Sequence, residues 1–130
     1  MSMVSFVGKR VFLSGPITGR EDFNRAEFAK AERIVRNLGA GMVYNPAELP
    51  SADDAHRHSH WMIRTLHELT EYFGFPRIEM NNKPMYDVLV LLDGWRESDG
   101  ARVERVVAAA CGIDVLEMVN IGEGGFEDGK

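Results

Sequence analysis

The chain has 130 residues, 45% of them hydrophobic, which suits one compact domain with its own core and is too short to divide comfortably into two. A net charge of -5 and the lack of any block of Lys and Arg exclude the electrostatic footprint of a protein that tracks a nucleic-acid polymer, so a small anionic ligand would need a local site. A single cysteine, Cys111, cannot close an intrachain disulfide, and nothing approaches a run of about 18 apolar residues, so a cytoplasmic protein with no membrane segment is expected.

In chain order, "RVFLSG" is a short apolar run ended by Gly15-Pro16 and "GMVYNP" a second ended by Pro46; both read as buried strands. Between them, Asn24 with Glu27 three residues on has the pattern of a capping box. Phe28, Ala31, Val35 and Leu38 then recur at helical spacing up to Gly39. A second helix is expected from about Ser59 to Phe73, where Trp61, Met62, Ile63, Leu66, Leu69 and Phe73 form a broad apolar stripe that Gly74 and Pro76 end. "YDVLVLLD" is too continuously apolar for a strand with one wet face and suits the centre of a parallel sheet. A third helix from about Asp99 to Cys111, with Cys111 as a buried small residue, precedes a fourth strand in "IDVLEMV". "PSADDAHRHSH" and "FPRIEMNNKP" read as loops, the second with room for a short extra strand. The domain is expected to span 1–118, with 119–130 a flexible, acidic, Gly-rich tail.

The alternation β-α-β-α-β-α-β predicts an α/β fold: a doubly wound, Rossmann-like parallel sheet of four to five strands with helices on both faces. Ligands of such sheets bind beyond the carboxyl ends of the strands, where "SGPITG", "NPAEL" and "DGWRESDG" converge.

Glu104 stands out there. On an ideal helix Ala101, Val107, Ala108 and Cys111 fall within about 60° of it, while its neighbours three and four residues away include no cation. A lone carboxylate on an apolar face is costly unless it is bonded or used. It is either a structural acid near a helix N-terminus or a reactive one. Ser98 can be an N-cap or can offer its hydroxyl to a phosphate at that helix start. Asp93 ends the central strand and is either a turn residue or a group near a sugar; Trp95 can stack on a heterocycle or cover the sheet edge. His56, His58 and His60 would share a face on a strand but not on a helix, and a solvated loop is the simpler reading, so no metal is assigned.

Taken together, "VFLSGPITG", "FNRAEFAKAERIVRNLGA", "NPAEL" and "DVLVLLDGWRESDGARVE" resemble the nucleoside 2-deoxyribosyltransferase-like superfamily. The likeness is to its small bacterial and phage branch, and covers roughly residues 10 to 118. The resemblance implies a flavodoxin-like fold that cleaves or exchanges the N-glycosidic bond of a nucleoside or nucleoside 5′-monophosphate, without a cofactor. It places the nucleophile on Glu104 and a phosphate contact on Ser98. It lines the nucleotide site with Ser14, Gly15, Pro16, Ile17, Thr18 and Gly19 after the first strand, with Asn45, and with Gly94, Trp95 and Gly100; Asp93 is the candidate second acid. The second helix keeps Arg64 but lacks the family's aspartate, leaving Glu68, Glu71 or Asp93 for that role. The resemblance also implies a homodimer or larger homo-oligomer. The alternative class is a nucleotide-binding or sensing module that kept the cradle without turnover.

Overall fold

Alternate side chains of the two central strands enter opposite layers, and both layers are apolar. β1 (Arg10–Ser14) sends Val11 and Leu13 into one core and Phe12 into the other; β5 (Val88–Leu91) divides in the same way, Val88 and Val90 against Leu89 and Leu91. These residues are 0 to 4% exposed, which is why the sequence shows continuous apolar runs instead of alternation. The structure, a computed structural model, describes residues 5–17, 20–48, 58–73 and 83–121.

The first layer is closed by α1 (Arg25–Asn37), whose Phe28, Ala31, Ile34 and Val35 pack on the sheet. Ile121 from α4 (Met118–Ile121) joins them. The second layer holds α2 (His58–Leu69) and α3 (Asp99–Ala110), which contribute Leu69, Ala101 and Ala108 against Phe12, Leu89 and Leu91. Burying each Leu, Val or Phe contributes roughly 1.5 to 3 kcal/mol, so it is the two-sided burial of β1 and β5 that dominates the core.

With β2 (Met42–Tyr44) and β6 (Asp114–Glu117) added, the sheet has four parallel strands in the order β2-β1-β5-β6. The chain therefore winds outward from β1 to β2, crosses back, and winds the other way from β5 to β6: a doubly wound, flavodoxin-like single domain. The switch point lies between β1 and β5, where Ser14 is in register with Leu91.

Four local expectations are corrected. The second helix stops at Leu69 instead of near Phe73: the Thr70 hydroxyl bonds back to the Leu66 carbonyl, and Tyr72–Phe73 is β3, antiparallel to β4 (Lys83–Pro84). Aromatic and β-branched residues favour that extended exit. No capping box forms at Asn24, because its amide donates to the Pro16 carbonyl at 2.9 Å and its backbone is left-handed. Cys111 is exposed, being the residue that closes α3 and not one of its inward positions. The core extends past 118, since Ile121 is 4% exposed; residues 122–130 of the expected tail lie outside the described residues.

At the far end of the sheet Asp87 and Arg10 clamp β5 to β1. Each backbone N–H reaches the other residue, and the guanidinium lies 3.3 Å from the carboxylate. Burial pushes the Asp87 carboxyl up, but the backbone and side-chain hydrogen bonds from Arg10, with the charges of Arg10 and Lys9, outweigh it and hold it below 3.8. A depressed carboxyl stabilises the fold above its unfolded value and loses that effect as pH falls through its folded value. Asp87→Asn should therefore cost about 1 kcal/mol at neutral pH. Thermal melts of the two proteins should converge as pH falls below about 4.

Candidate functional site

Ser14, the last residue of β1, and Glu104, one turn into α3, meet behind the carboxyl ends of the strands. The Ser14 hydroxyl donates to Glu104 Oε1 at 2.5 Å, and both residues are buried. Thr65, buried on α2, lies beside the same carboxyl, with its hydroxyl 3.5 Å from the Met62 carbonyl. Strand alternation puts Ser14 on the α3 side, the face that Phe12 also uses, so the pairing follows from the register. Among the described residues no cation is ion-paired or hydrogen-bonded to Glu104. Burial pushes its carboxyl up to about 6, while the Ser14 bond and the neighbouring Thr65 hydroxyl hold it back.

Glu104 forms part of the wall of a cleft of about 310 Å³. Gly15, Pro16 and Ile17 line one side, Met62 and Thr65 of α2 another, and Ser98, Asp99, Gly100 and Ala101 at the start of α3 a third. Ser98 is the N-cap: its Oγ accepts from the Ala101 N–H at 3.1 Å, and its hydroxyl proton remains available to a ligand. The first turn of α3 also presents helix N–H groups whose partial positive charge favours an anion. Gly15 is held against Leu92, whose Cβ would lie 2.9 Å from an added methyl, so only glycine lets the loop follow the sheet this closely.

Arg20 completes the rim. It is exposed, and its guanidinium has no ion-pair or hydrogen-bond partner among the described residues. A left-handed turn puts it there: Asp22, Phe23 and Asn24 have φ of 50°, 56° and 62°, a costly run for side-chain-bearing residues. The turn is tied down by the bond from Asn24 to Pro16 and by Arg25, which donates to the Ala47 carbonyl.

Of the residues the sequence singles out, Glu104, Ser14, Gly15, Pro16, Ile17, Ser98 and Gly100 come together here; Thr18 and Gly19 lie outside the described residues. Asn45 does not line the cleft. It is buried, donates to Glu32 and accepts from the Ala47 N–H, and it is the following Pro46 that reaches the cleft. Trp95 covers the sheet edge instead: its indole donates to Glu117, and the guanidinium carbons of Arg96 and Arg105 sit 4.7 and 5.5 Å from its ring centre. Asp93 lines a neighbouring depression rather than the Glu104 cleft. Gly94 serves indirectly, its φ of 87° turning the chain beneath Arg20.

Of the other acids, Glu71 pairs with His67, whereas Glu68 accepts the Tyr86 hydroxyl. Tyr44, stacked on Phe12, lies close enough to feel Glu68, Arg64 and Glu104, and burial pushes its phenol up to about 12, so it stays protonated. His58 and His60 fall within α2, where positions two apart do not share a face, and His56 lies outside the described residues; no metal-holding cluster occurs among those described. Arg20, Thr65 and Tyr44 were missed from sequence. Thr65 carried a usable signal, a polar residue three after Met62 and four before Leu69 on an otherwise apolar stripe.

Residues 9–117 match a family model described as a domain of unknown function, DUF4406. The chain belongs to that family. No curated protein and no solved structure matches it. No described helix is long and apolar enough to cross a membrane.

A carboxyl raised from 4.5 to about 6 on folding makes the folded state bind the extra proton, so stability falls as pH rises between those values and stays lower above them. Glu104→Gln, which keeps an acceptor for Ser14, should raise stability by about 2 kcal/mol at pH 7.5. Denaturant titrations should show that gain vanish below about pH 4.5, where the native carboxyl is protonated in both states.

Proposed function

We propose that the protein cleaves the N-glycosidic bond of a nucleoside 5′-monophosphate or nucleoside, by hydrolysis or by exchange of the base, with Glu104 as nucleophile. The observation that carries the reading is the burial of an ionisable Glu104, without a cationic partner among the described residues, in a cleft of about 310 Å³ at the switch point of the sheet. The likeness of "SGPITG", "NPAEL" and "GWRESDGARVE" to nucleoside 2-deoxyribosyltransferase-like proteins supports it.

In this mechanism the Glu104 carboxylate attacks C1′ as the C1′–N bond breaks, and the bond's electron pair leaves with the base, which takes a proton from solvent. Water then attacks C1′ of the sugar ester, its proton going to solvent, and restores the carboxylate; a second base in place of water would give exchange. A poorly solvated anion stabilises the positive character developing at the sugar more than it stabilises the neutral ground state. The phosphate sits against Ser98, the start of α3 and Arg20, some way along the cleft from Glu104. The protein is proposed to work in the cytoplasm as a homodimer or larger homo-oligomer.

A binding or sensing module without turnover is the second reading. One observation favours it: Glu68, an acid on α2, is already engaged by the Tyr86 hydroxyl, and Asp93 lies outside the cleft.

Purified protein incubated with ribo- and deoxyribonucleoside 5′-monophosphates, and with the parent nucleosides, should release free base detectable by chromatography. Glu104→Gln should lower the rate at least about a hundredfold. For the wild type kcat/KM should fall about tenfold per pH unit below about 6, as Glu104 takes up its proton. Binding without base release would leave the sensing module as the function.

A further inference from the structure

The cleft beside Glu104 is not isolated. A second depression, of about 440 Å³, lies on the opposite layer of the sheet between α1 and α4, lined by Lys30, Ala31, Ile34, Asp93 and Val119. Arg20 lines both cavities. Gly15, Pro16 and Ile17 after β1 line the first cavity, and Leu92 and Asp93 after β5 line the second. Gly94 lets Arg20 approach the backbone between them closely: a Cβ there would stand 2.3 Å from the Arg20 Nη2 and 3.4 Å from Pro16. The guanidinium thus lies over bare backbone, facing a cavity on each side.

We propose that the ligand spans both cavities: a nucleoside 5′-diphosphate carrying a second sugar-sized group, the class of dinucleotides and nucleoside-diphosphate sugars, with its pyrophosphate held by Arg20 over Gly94. This rests on the proposed reaction for the half that lies beside Glu104. Three observations favour it. The switch point of a doubly wound sheet is where an extended ligand can cross from one layer to the other. The planar, multiply donating guanidinium of Arg20 suits two adjacent phosphates and is not ion-paired to an acid among the described residues, although Glu27, Asp93, Glu97 and Asp99 line the same two cavities. Those acids disfavour further phosphates beyond the guanidinium, while Glu27 and Asp93 suit the hydroxyls of a second sugar. A nucleoside triphosphate therefore gains nothing over a diphosphate.

The test is calorimetric titration of Glu104→Gln protein, which is blocked in turnover, with matched adenine, guanine, cytosine and uracil series. Each series contains the nucleoside 5′-monophosphate, diphosphate, triphosphate and a nucleoside-diphosphate sugar, with a dinucleoside pyrophosphate added for adenine. For the best-bound base the two-group ligand should bind at least about tenfold more tightly than the monophosphate, with the triphosphate no tighter than the diphosphate. Arg20→Ala should remove the advantage of every diphosphate, and Val119→Trp, which fills the second cavity from an exposed position, should remove only the advantage of the second group. A monophosphate that binds as tightly as the two-group ligand, an advantage untouched by both substitutions, or no binding in any series overturns the proposal. Base release from monophosphates by the wild-type protein, with no gain from the second group, would sink the bridging ligand and leave the reaction standing. Arg20-dependent binding of two-group ligands with no base release from any of them would do the reverse.

Discussion

The hydrogen bond from Ser14 to Glu104 joins the switch-point strand to the helix that follows β5, and the candidate site is organised around it. A carboxylate cannot be buried among Ala101, Ala108 and the sheet without a donor, and the last residue of β1 supplies one within 2.5 Å. Thr65 of α2 lies beside the same carboxyl, so three elements far apart in sequence are brought to one ionisable group. With only neutral donors, the charge is tolerated without being neutralised, and the carboxyl stays near 6 instead of falling as it would beside a cation.

This arrangement carries a cost to the fold. A buried acid with a raised pKa destabilises the native state at neutral pH, and the left-handed run at Asp22, Phe23 and Asn24 adds backbone strain of its own. Both features border the same cleft, one forming part of its wall and the other placing Arg20 at its rim. Strain and desolvation thus fall together at one edge of the sheet. The opposite edge contrasts with it: there Asp87 is hydrogen-bonded and charge-paired by Arg10, and simply locks β5 to β1.

The elements were legible because their signals are local. Apolar runs ended by Gly15-Pro16 and Pro46, and helical spacing ended by Gly39, recur in the observed strands and first helix almost residue for residue. Glu104 was legible for the same reason, since a helical projection needs only the neighbouring residues to show an acid on an apolar face. Errors arose where partners come from elsewhere. The end of α2 depends on the pairing of β3 with β4, and the Asn24 amide serves the Pro16 carbonyl instead of its own helix. Trp95 and Asn45 are polar-tipped loop residues that looked available to a ligand and are instead engaged by Glu117 and Glu32.

Sequence by itself therefore determined the α/β alternation, the two-sided burial of the central strands, and the anomaly at Glu104, because each follows from periodicity within a single segment. Tertiary structure alone decided that Ser14 bonds that acid, that Arg20 lies over Gly94 and lines two cavities, and that Asp93 faces the other layer from Glu104. Those facts depend on which way each loop crosses the crest of the sheet, and a crossing is set by contacts between segments that no local pattern records.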